Sequence, residues 1–235
     1  MQDNRITLKG VKVYPFKSID ELIQVAEQEK KVLVAVNAEK VVCATELTRA
    51  IINRNIGYCD GAGAVKALKK KGCKEVIRIP GCELWLHIIE KLYPLGKTFY
   101  FVGGKQEIIE ATIKKLNIQF PGIHIVNYRN GYIKNNEELK ALITDVATKK
   151  PNVCFVAMGS PKQEILMEDM RKQHPAIYQG LGGSFDVYTG NVKRAPAWCR
   201  KYNLEWAYRF IEQPSRLGRL KNYLNFFIQL ELRHL

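Results

Sequence analysis

Asp60 is the carboxylate whose place in the sequence best suits acid–base chemistry. It directly follows the short apolar run Ile56–Cys59, which predicts a buried strand, and Gly61–Ala64 behind it are small residues that leave room for a ligand. A carboxylate at a strand end can act as a general base if burial or neighbouring groups raise its pKa towards the working pH. An aspartate that merely caps the next helix explains the same pattern equally well.

Two further polar residues stand where apolar runs end or are interrupted. Asn37 follows the run Val32–Val36, where its amide could bind a sugar hydroxyl, although capping the next helix is the commoner role. Arg78 interrupts the run Val76–Gly81, which predicts a strand. A buried arginine needs a partner, and either a carboxylate or a phosphate would serve. Both residues are therefore candidate substrate ligands.

The stretch from Val153 to Glu164 combines a buried strand with a helix start. Val153–Met158 is apolar throughout, as expected of a strand in the middle of a parallel sheet. Ser160 and Pro161 predict the cap and first residue of a helix whose first turn carries Lys162, Gln163 and Glu164. In open α/β sheets, ligands bind at this edge, and helix N-termini there favour phosphate, so Gln163 and Glu164 are candidate substrate ligands. The alternative is a well-capped turn with solvated polar residues.

Apolar runs alternate with helical patterns along most of the chain. The predicted strands are Ile6–Tyr14 at an edge, Val32–Val36, Ile56–Cys59, Val76–Gly81, Phe99–Val102 followed by Gly103-Gly104, Ile123–Tyr128, Val153–Met158 and Tyr178–Leu181. This alternation predicts an α/β fold, with a doubly wound, mostly parallel, Rossmann-like sheet and a C-terminal helical appendage. Residues 1–195 would form the catalytic core and 196–235 the basic, amphipathic appendage. Gly103 and Gly104 would let a nucleotide approach the backbone or simply form a tight turn.

Composition narrows the classes of partner. The chain has 235 residues and a formal net charge of +14, which points to an anionic partner such as a nucleotide sugar, a nucleic acid or a membrane surface. Its six cysteines are scattered, which argues against a zinc site or a disulfide framework and for a reducing cytoplasm. We also expect no signal peptide and no transmembrane helix.

The last third of the chain is basic and partly amphipathic. A glycine-rich segment, 182–196, ends in Lys193 and Arg194 before Pro196. Helices are predicted over Ala197–Ile211 and, after the segment Gln213–Arg219, to Leu235. The final helix carries a wide apolar stripe with aromatic residues and a cluster of arginines near its start. Such a helix suits an anionic membrane surface, whereas docking on the core or on a partner subunit is about as common.

Several motifs occur in a fixed order along the chain. They are Asn37-Ala38-Glu39-Lys40, Asp60-Gly61, Arg78 before Gly81, Gly159–Glu164, the segment from Gly182-Gly183 to Lys193-Arg194-Ala195-Pro196, and Leu204–Arg216. Together, from about Leu33 to the end, they closely resemble a bacterial glycosyltransferase family. That family comprises N-acetylmannosamine transferases of wall teichoic acid and UDP-N-acetyl-D-mannosaminuronic acid transferases of enterobacterial common antigen, and the likeness is closer to the second branch.

The resemblance implies a specific reaction. An inverting transfer, without metal or other cofactor, would move N-acetyl-D-mannosaminuronic acid from UDP to the 4-hydroxyl of N-acetylglucosamine on undecaprenyl diphosphate. The enzyme would be cytoplasmic and peripheral, held on the inner membrane face by its C-terminal helix. Asp60 would be the base. The implied substrate ligands are Asn37, Arg78 and Gln163 in the pocket, and Arg209, Arg216 and Arg219 closing over the diphosphate.

Some assignments stay open at this point. The cation that binds a donor carboxylate could be Lys162, Lys193 or Arg194, and a homo-oligomer is equally compatible with the sequence. Within the family, the donor could instead be UDP-N-acetylmannosamine or another UDP-hexose. A non-catalytic protein that binds nucleotides or nucleic acid through the same positive charge is the alternative of a different class. The resemblance implies no nucleic-acid partner.

Overall fold

The structure, a computed structural model, describes residues 4–201, 205–212, 218 and 220–232. Its strands are β1 (Ile6–Leu8), β2 (Val11–Val13), β3 (Val32–Val36), β4 (Ile56–Cys59), β5 (Thr98–Gly103), β6 (His124–Arg129), β7 (Val153–Ala157) and β8 (Ile177–Gly180). Its α-helices are α1 (Ile19–Glu29), α2 (Ala38–Cys43), α3 (Glu46–Arg54), α4 (Ala62–Lys70), α5 (Gly81–Leu92), α6 (Gln106–Gln119), α7 (Asn136–Lys149), α8 (Lys162–Gln173), α9 (Ser184–Thr189), α10 (Ala197–Lys201), α11 (Glu205–Glu212) and α12 (Leu220–Glu231).

A six-stranded sheet in the order β4-β3-β8-β7-β5-β6 forms the centre of the molecule, and every neighbouring pair in it is parallel. Alternate residues of each strand enter two separate hydrophobic clusters. In β3, for example, Val32, Val34 and Val36 pack on one side and Leu33 on the other. Burial on both faces is the reason strands such as β3 and β7 are apolar throughout, whereas the edge strand β6 is partly exposed and carries polar residues. The prediction of a doubly wound α/β fold is confirmed.

The helices divide between the two faces of the sheet. The residues that α2, α4, α7, α8 and α12 bury belong to one cluster, and those of α1, α5, α6 and α9 belong to the other. On the α5 face, Trp85 packs edge-on against Phe155 and Phe185, with ring centroids 5.8 and 5.7 Å apart. Helices from both layers therefore begin at the carboxyl edge of the sheet, which is where α/β proteins bind ligands.

Two predicted strands are wrong. The segment Ile6–Tyr14 is an antiparallel hairpin rather than one edge strand, because Lys9 and Gly10 both have positive φ, 47° and 80°, and turn the chain. The segment Val76–Gly81 is not a strand. Its Ile77 and Ile79 amides donate single hydrogen bonds to the Phe16 and Cys59 carbonyls, and Pro80 has no N–H to extend the pairing.

The C-terminal third differs from its prediction in detail. The glycine-rich segment contains α9, which the sequence pattern did not indicate and which buries Phe185. Of the helix predicted over Ala197–Ile211, the structure describes α10 and most of α11, and residues 202–204 lie outside the described part. Helix α12 buries Phe226 and Leu230 in the cluster on the α2 face, so it docks on the core.

Within the described residues, no helix combines the length and the apolar character needed to cross a membrane. The final helix instead has two different sides. Leu224, Ile228 and Leu232, spaced four residues apart, are more than half exposed on the side away from Phe226 and Leu230.

Candidate active site

The candidate residues gather at the carboxyl edge of the sheet, as the strand order requires. Asp60 follows β4 and Asn37 follows the neighbouring β3, and the two loops are in contact. The Asp60 amide donates to the Val36 carbonyl at 3.0 Å, and a side-chain carbon at Gly61 would come 3.1 Å from the Asn37 Cβ. The parallel pairing of β3 and β4 therefore places the acid and the amide side by side.

Asp60 has one oxygen held by the protein. Its Oδ1 accepts a hydrogen bond of 2.7 Å from the amide of Gly81, the first residue of α5. It does not cap its own following helix, which begins after Gly61 without a side-chain cap. Oδ2 has no hydrogen-bond partner within the described residues, and the side chain is only half-buried. One oxygen is thus fixed in place and the other is open, so a substrate hydroxyl can come within hydrogen-bond reach of Oδ2.

Asn37 takes the commoner of its two predicted roles. Its Oδ1 accepts the Lys40 amide at 2.9 Å and caps α2. Its side-chain NH2 group has no partner in the part of the chain that the structure describes, so it remains a candidate donor to a ligand.

Gln163 fastens two loops to each other. Its Oε1 accepts hydrogen bonds from the Gly159 amide at 3.1 Å and the Gly182 amide at 2.9 Å, which joins the carboxyl ends of β7 and β8. The predicted Ser160 cap is wrong, because α8 begins at Lys162 after Pro161 and has no side-chain cap. In this conformation, Gln163 Oε1 occupies the N–H groups of Gly159 and Gly182 in the two loops at this edge of the sheet.

Glu164 forms an ion pair across the crevice. It is 2% exposed, and its Oε1 lies 2.6 Å from the Lys40 Nζ, so the pair connects α8 to α2. Its Oε2 is buried without a hydrogen-bond partner among the described residues. The neighbouring Lys162 points to solvent. Lys40 was present in a quoted motif, but sequence reasoning gave it no role because its partner lies 124 residues away.

Arg78 and Arg194 share a buried carboxylate. Arg78 donates from Nε to the Asp60 carbonyl at 2.8 Å and from Nη2 to Glu205 Oε2 at 2.7 Å. The Arg194 Nε lies 3.9 Å from Glu205 Oε1, and the Arg194 Nη2 forms an ion pair with Glu83. The partner that a buried arginine requires is thus a carboxylate from the C-terminal segment. Sequence reasoning missed Glu205, and only its place in the Leu204–Arg216 motif could have drawn attention to it.

A comparison with known protein families identifies the class of protein. Residues 6–234 match the glycosyl transferase WecG/TagA/CpsF family. The chain belongs to this family. The predicted resemblance is confirmed at that level, and membership identifies the chain as a glycosyltransferase of the kind used in polysaccharide biosynthesis.

In this WecG/TagA/CpsF-family chain, the glycine pair lies away from Asp60. Gly103 ends β5, four strand spacings from β4, or about 19 Å at the usual separation. Gly103 has φ 135°, and a side-chain carbon there would come 2.3 Å from the Ala157 carbonyl oxygen, so the fold itself requires glycine. A nucleotide-binding role for Gly103 and Gly104 stays a prediction, for a ligand long enough to reach from β4 to β5.

The remaining predicted cations of this glycosyltransferase are dispersed. Lys193 is exposed. Arg209 lies in α11, and neither its side chain nor Arg216 and Arg219 falls within the described part.

An open groove of about 480 Å³ runs along α4, and it is lined by Ala62, Val65, Lys66, Lys69, Lys70 and Arg78. Among the described residues, no three His, Cys, Asp or Glu side chains are grouped to hold a metal ion.

Proposed function

We propose that this chain is an inverting glycosyltransferase that uses a UDP-sugar donor and a lipid-linked acceptor. The finer assignment is transfer of N-acetyl-D-mannosaminuronic acid to the 4-hydroxyl of N-acetylglucosamine on undecaprenyl diphosphate. The observation that carries the proposal is the Asp60 carboxylate, which has one oxygen fixed by the Gly81 amide and one open oxygen at the carboxyl edge of the sheet.

The reaction needs one base and no covalent intermediate. Asp60 Oδ2 takes the proton of the acceptor hydroxyl while that oxygen forms a bond to the anomeric carbon of the donor. The bond between this carbon and the β-phosphate oxygen breaks on the opposite side, and UDP departs with the bonding electrons. A single displacement inverts the anomeric centre, and the proton ends on Asp60.

Positive charge near Asp60 supports departure of a diphosphate. Arg78 lies directly against the Asp60 backbone, and the α4 groove adds Lys69 together with Lys66 and Lys70, which share Glu231 as their counter-charge. Cations and N–H groups that are already in place stabilise developing negative charge at little reorganisation cost. We include in the proposal that the transfer needs no resident metal.

The exposed side of α12 supports a peripheral position at the cytoplasmic face of the membrane. Leu224, Ile228 and Leu232 form an apolar row while Phe226 and Leu230 anchor the helix to the core. Lys221 at the start of the same helix is exposed. An apolar row with flanking positive charge suits insertion among anionic headgroups.

A donor comparison tests the proposal. Purified protein is incubated with a short-chain lipid-diphosphate N-acetylglucosamine and either UDP-N-acetylmannosaminuronic acid or UDP-N-acetylmannosamine, with EDTA present. UDP release and disaccharide mass are followed. Product from the uronic acid alone supports the common-antigen assignment, whereas product from the neutral sugar alone moves the chain to the teichoic-type branch. Absence of product from either donor, with or without added divalent metal, contradicts the proposed substrates.

A further inference from the structure

Two polar side chains are fully buried beneath the N-terminus of α5. Gln179 lies in β8 and Tyr58 in β4, and neither has any exposed surface. Tyr58 precedes Asp60 by two residues, so both side chains leave the chain on the same side of the sheet. Both residues lie within otherwise apolar strands, and sequence reasoning gave neither of them a role.

Gln179 reaches the Asp60 carboxylate through Gly81. Its side-chain Nε2 donates to the Gly81 carbonyl at 3.0 Å, and the Gly81 amide donates to Asp60 Oδ1 at 2.7 Å. The hydrogen bond from Gln179 in β8 therefore fixes Gly81, the first residue of α5, and the amide of Gly81 fixes the Asp60 carboxylate.

Tyr58 supports the same glycine from another side. A side-chain carbon at Gly81 would lie 2.9 Å from the Tyr58 hydroxyl oxygen and 3.6 Å from Asp60 Oδ1. The hydroxyl therefore occupies the space directly beside Gly81 and close to the carboxylate. Burial, followed by the nearby Asp60 charge, raises the pKa of Tyr58 well above its usual value, while the Gln179 amide acts in the opposite direction.

Each of these two side chains also carries one buried polar atom that strict hydrogen-bond geometry leaves unsatisfied. Within the described residues, neither the Tyr58 hydroxyl oxygen nor the Gln179 Oε1 has a partner at strict hydrogen-bond geometry, although the Gln179 amide is near enough to the hydroxyl to lower the pKa of Tyr58. A buried polar atom left without a partner is destabilising, and an apolar side chain of the same shape would avoid that cost. Tyr178, adjacent to Gln179 in β8, differs because its hydroxyl donates to the His174 carbonyl at 2.7 Å.

We propose that Gln179 and Tyr58 are positioning residues that hold Gly81, and through its N–H group the Asp60 carboxylate, in the orientation needed for proton abstraction. The proposal rests on the proposed function, because it takes Asp60 as the base. It assigns to two buried strand residues a role in the rate of transfer rather than in substrate binding.

Three variants test the proposal in the full chain. Gln179→Met keeps the length of the side chain but removes the donor to Gly81, and Tyr58→Phe removes a single oxygen atom. We expect kcat to fall about tenfold in Gln179→Met and less in Tyr58→Phe, with KM for the donor within about twofold, because a displaced base slows the chemical step. Tyr178→Phe is the matched control, because it removes the hydroxyl of another tyrosine with no exposed surface at a site away from Asp60, and it should keep kcat.

A second readout does not depend on turnover. The Gly81 amide resonance should shift, and its hydrogen exchange should accelerate, in Gln179→Met and in Asp60→Asn but not in Tyr178→Phe. Unchanged kcat in both variants, a loss confined to KM, or an equal loss in Tyr178→Phe overturns the proposal. If the wild type transfers no sugar, the proposed function fails, while the amide measurement still decides whether Gln179 positions Gly81 and Asp60. If Gln179→Met does not fold, Tyr58→Phe carries the test.

Discussion

Asp60 and Glu164 are two carboxylates at the same edge of one sheet, each close to a helix N-terminus, and the structure treats them differently. Asp60 lies on the α5 side, is half-buried, and has one oxygen bonded to a neutral N–H group. Glu164 lies on the α2 side, is 2% exposed, and has one oxygen bonded to the Lys40 ammonium. The sequence alone offered both as candidate site residues.

The difference indicates which of them can take a proton from a substrate. A substrate hydroxyl can approach the open oxygen of Asp60, whereas burial closes off the free oxygen of Glu164 and Lys40 covers the other. Accessibility and partner, rather than residue type, separate a base from a carboxylate that joins two helices. We therefore expect loss of Asp60 to affect rate and loss of Glu164 to affect stability.

Replacing Asp60 with Asn gives the largest expected effect. The variant should lose about 10²- to 10⁴-fold in kcat, because an amide cannot accept the proton. Its free energy of unfolding should change by less than about 1 kcal/mol, since the Asn oxygen can still accept the Gly81 amide. UDP release measures the first effect and urea denaturation the second. Normal turnover in this variant would remove Asp60 as the base.

Replacing Glu164 with Gln should lower the stability of the fold more than it lowers kcat, the opposite of Asp60→Asn. The change leaves Lys40 without its counter-charge in a largely buried position, which should destabilise the fold by about 3 kcal/mol. The double variant Lys40→Met/Glu164→Gln should recover part of this loss, because no lone charge remains. Equilibrium denaturation of the four proteins in the cycle measures the coupling. If Glu164→Gln is as stable as the wild type but inactive, the contrast with Asp60 breaks down.

Glu205 is a third carboxylate, and it extends the contrast to the C-terminal segment. Its bonds to Arg78 and Arg194 connect α11 to the backbone of Asp60. Glu205→Gln should lower kcat/KM by about tenfold, the equivalent of one lost charge-assisted hydrogen bond, and should speed hydrogen exchange in α11. Glu212→Gln, with the same charge change at an exposed position of this helix, is the control. Equal exchange in both variants would show that Glu205 does not fasten α11.

The sequence predicted the parts of this site that depend on local pattern. Apolar runs with no alternation identified β3 and β7, and the small residues after Asp60 marked a strand end with room for a ligand. The partners of these residues depend on which distant segment packs beside them. Gly81 reaches Asp60 across 21 residues and Glu205 reaches Arg78 across 127, and no local pattern encodes such pairs. Ser160 is not the cap because α8 begins one residue later than predicted, at Lys162 with Pro161 in the cap position.

Glu231 is a carboxylate on the surface of the protein, and its replacement should change stability least among the variants discussed. Hydrogen bonds from Lys70 and Lys66 lower its pKa from 4.5 to about 2 and connect α12 to α4. Since the folded-state pKa lies below the unfolded value, this contribution to stability is present above about pH 4.5 and fades as the pH falls from there towards 2. The melting temperature of Glu231→Gln should therefore lie slightly below that of the wild type at pH 7, and the gap should narrow by pH 3. A gap that stays constant over this range would mean that Phe226 and Leu230 alone dock α12, without help from its charged end.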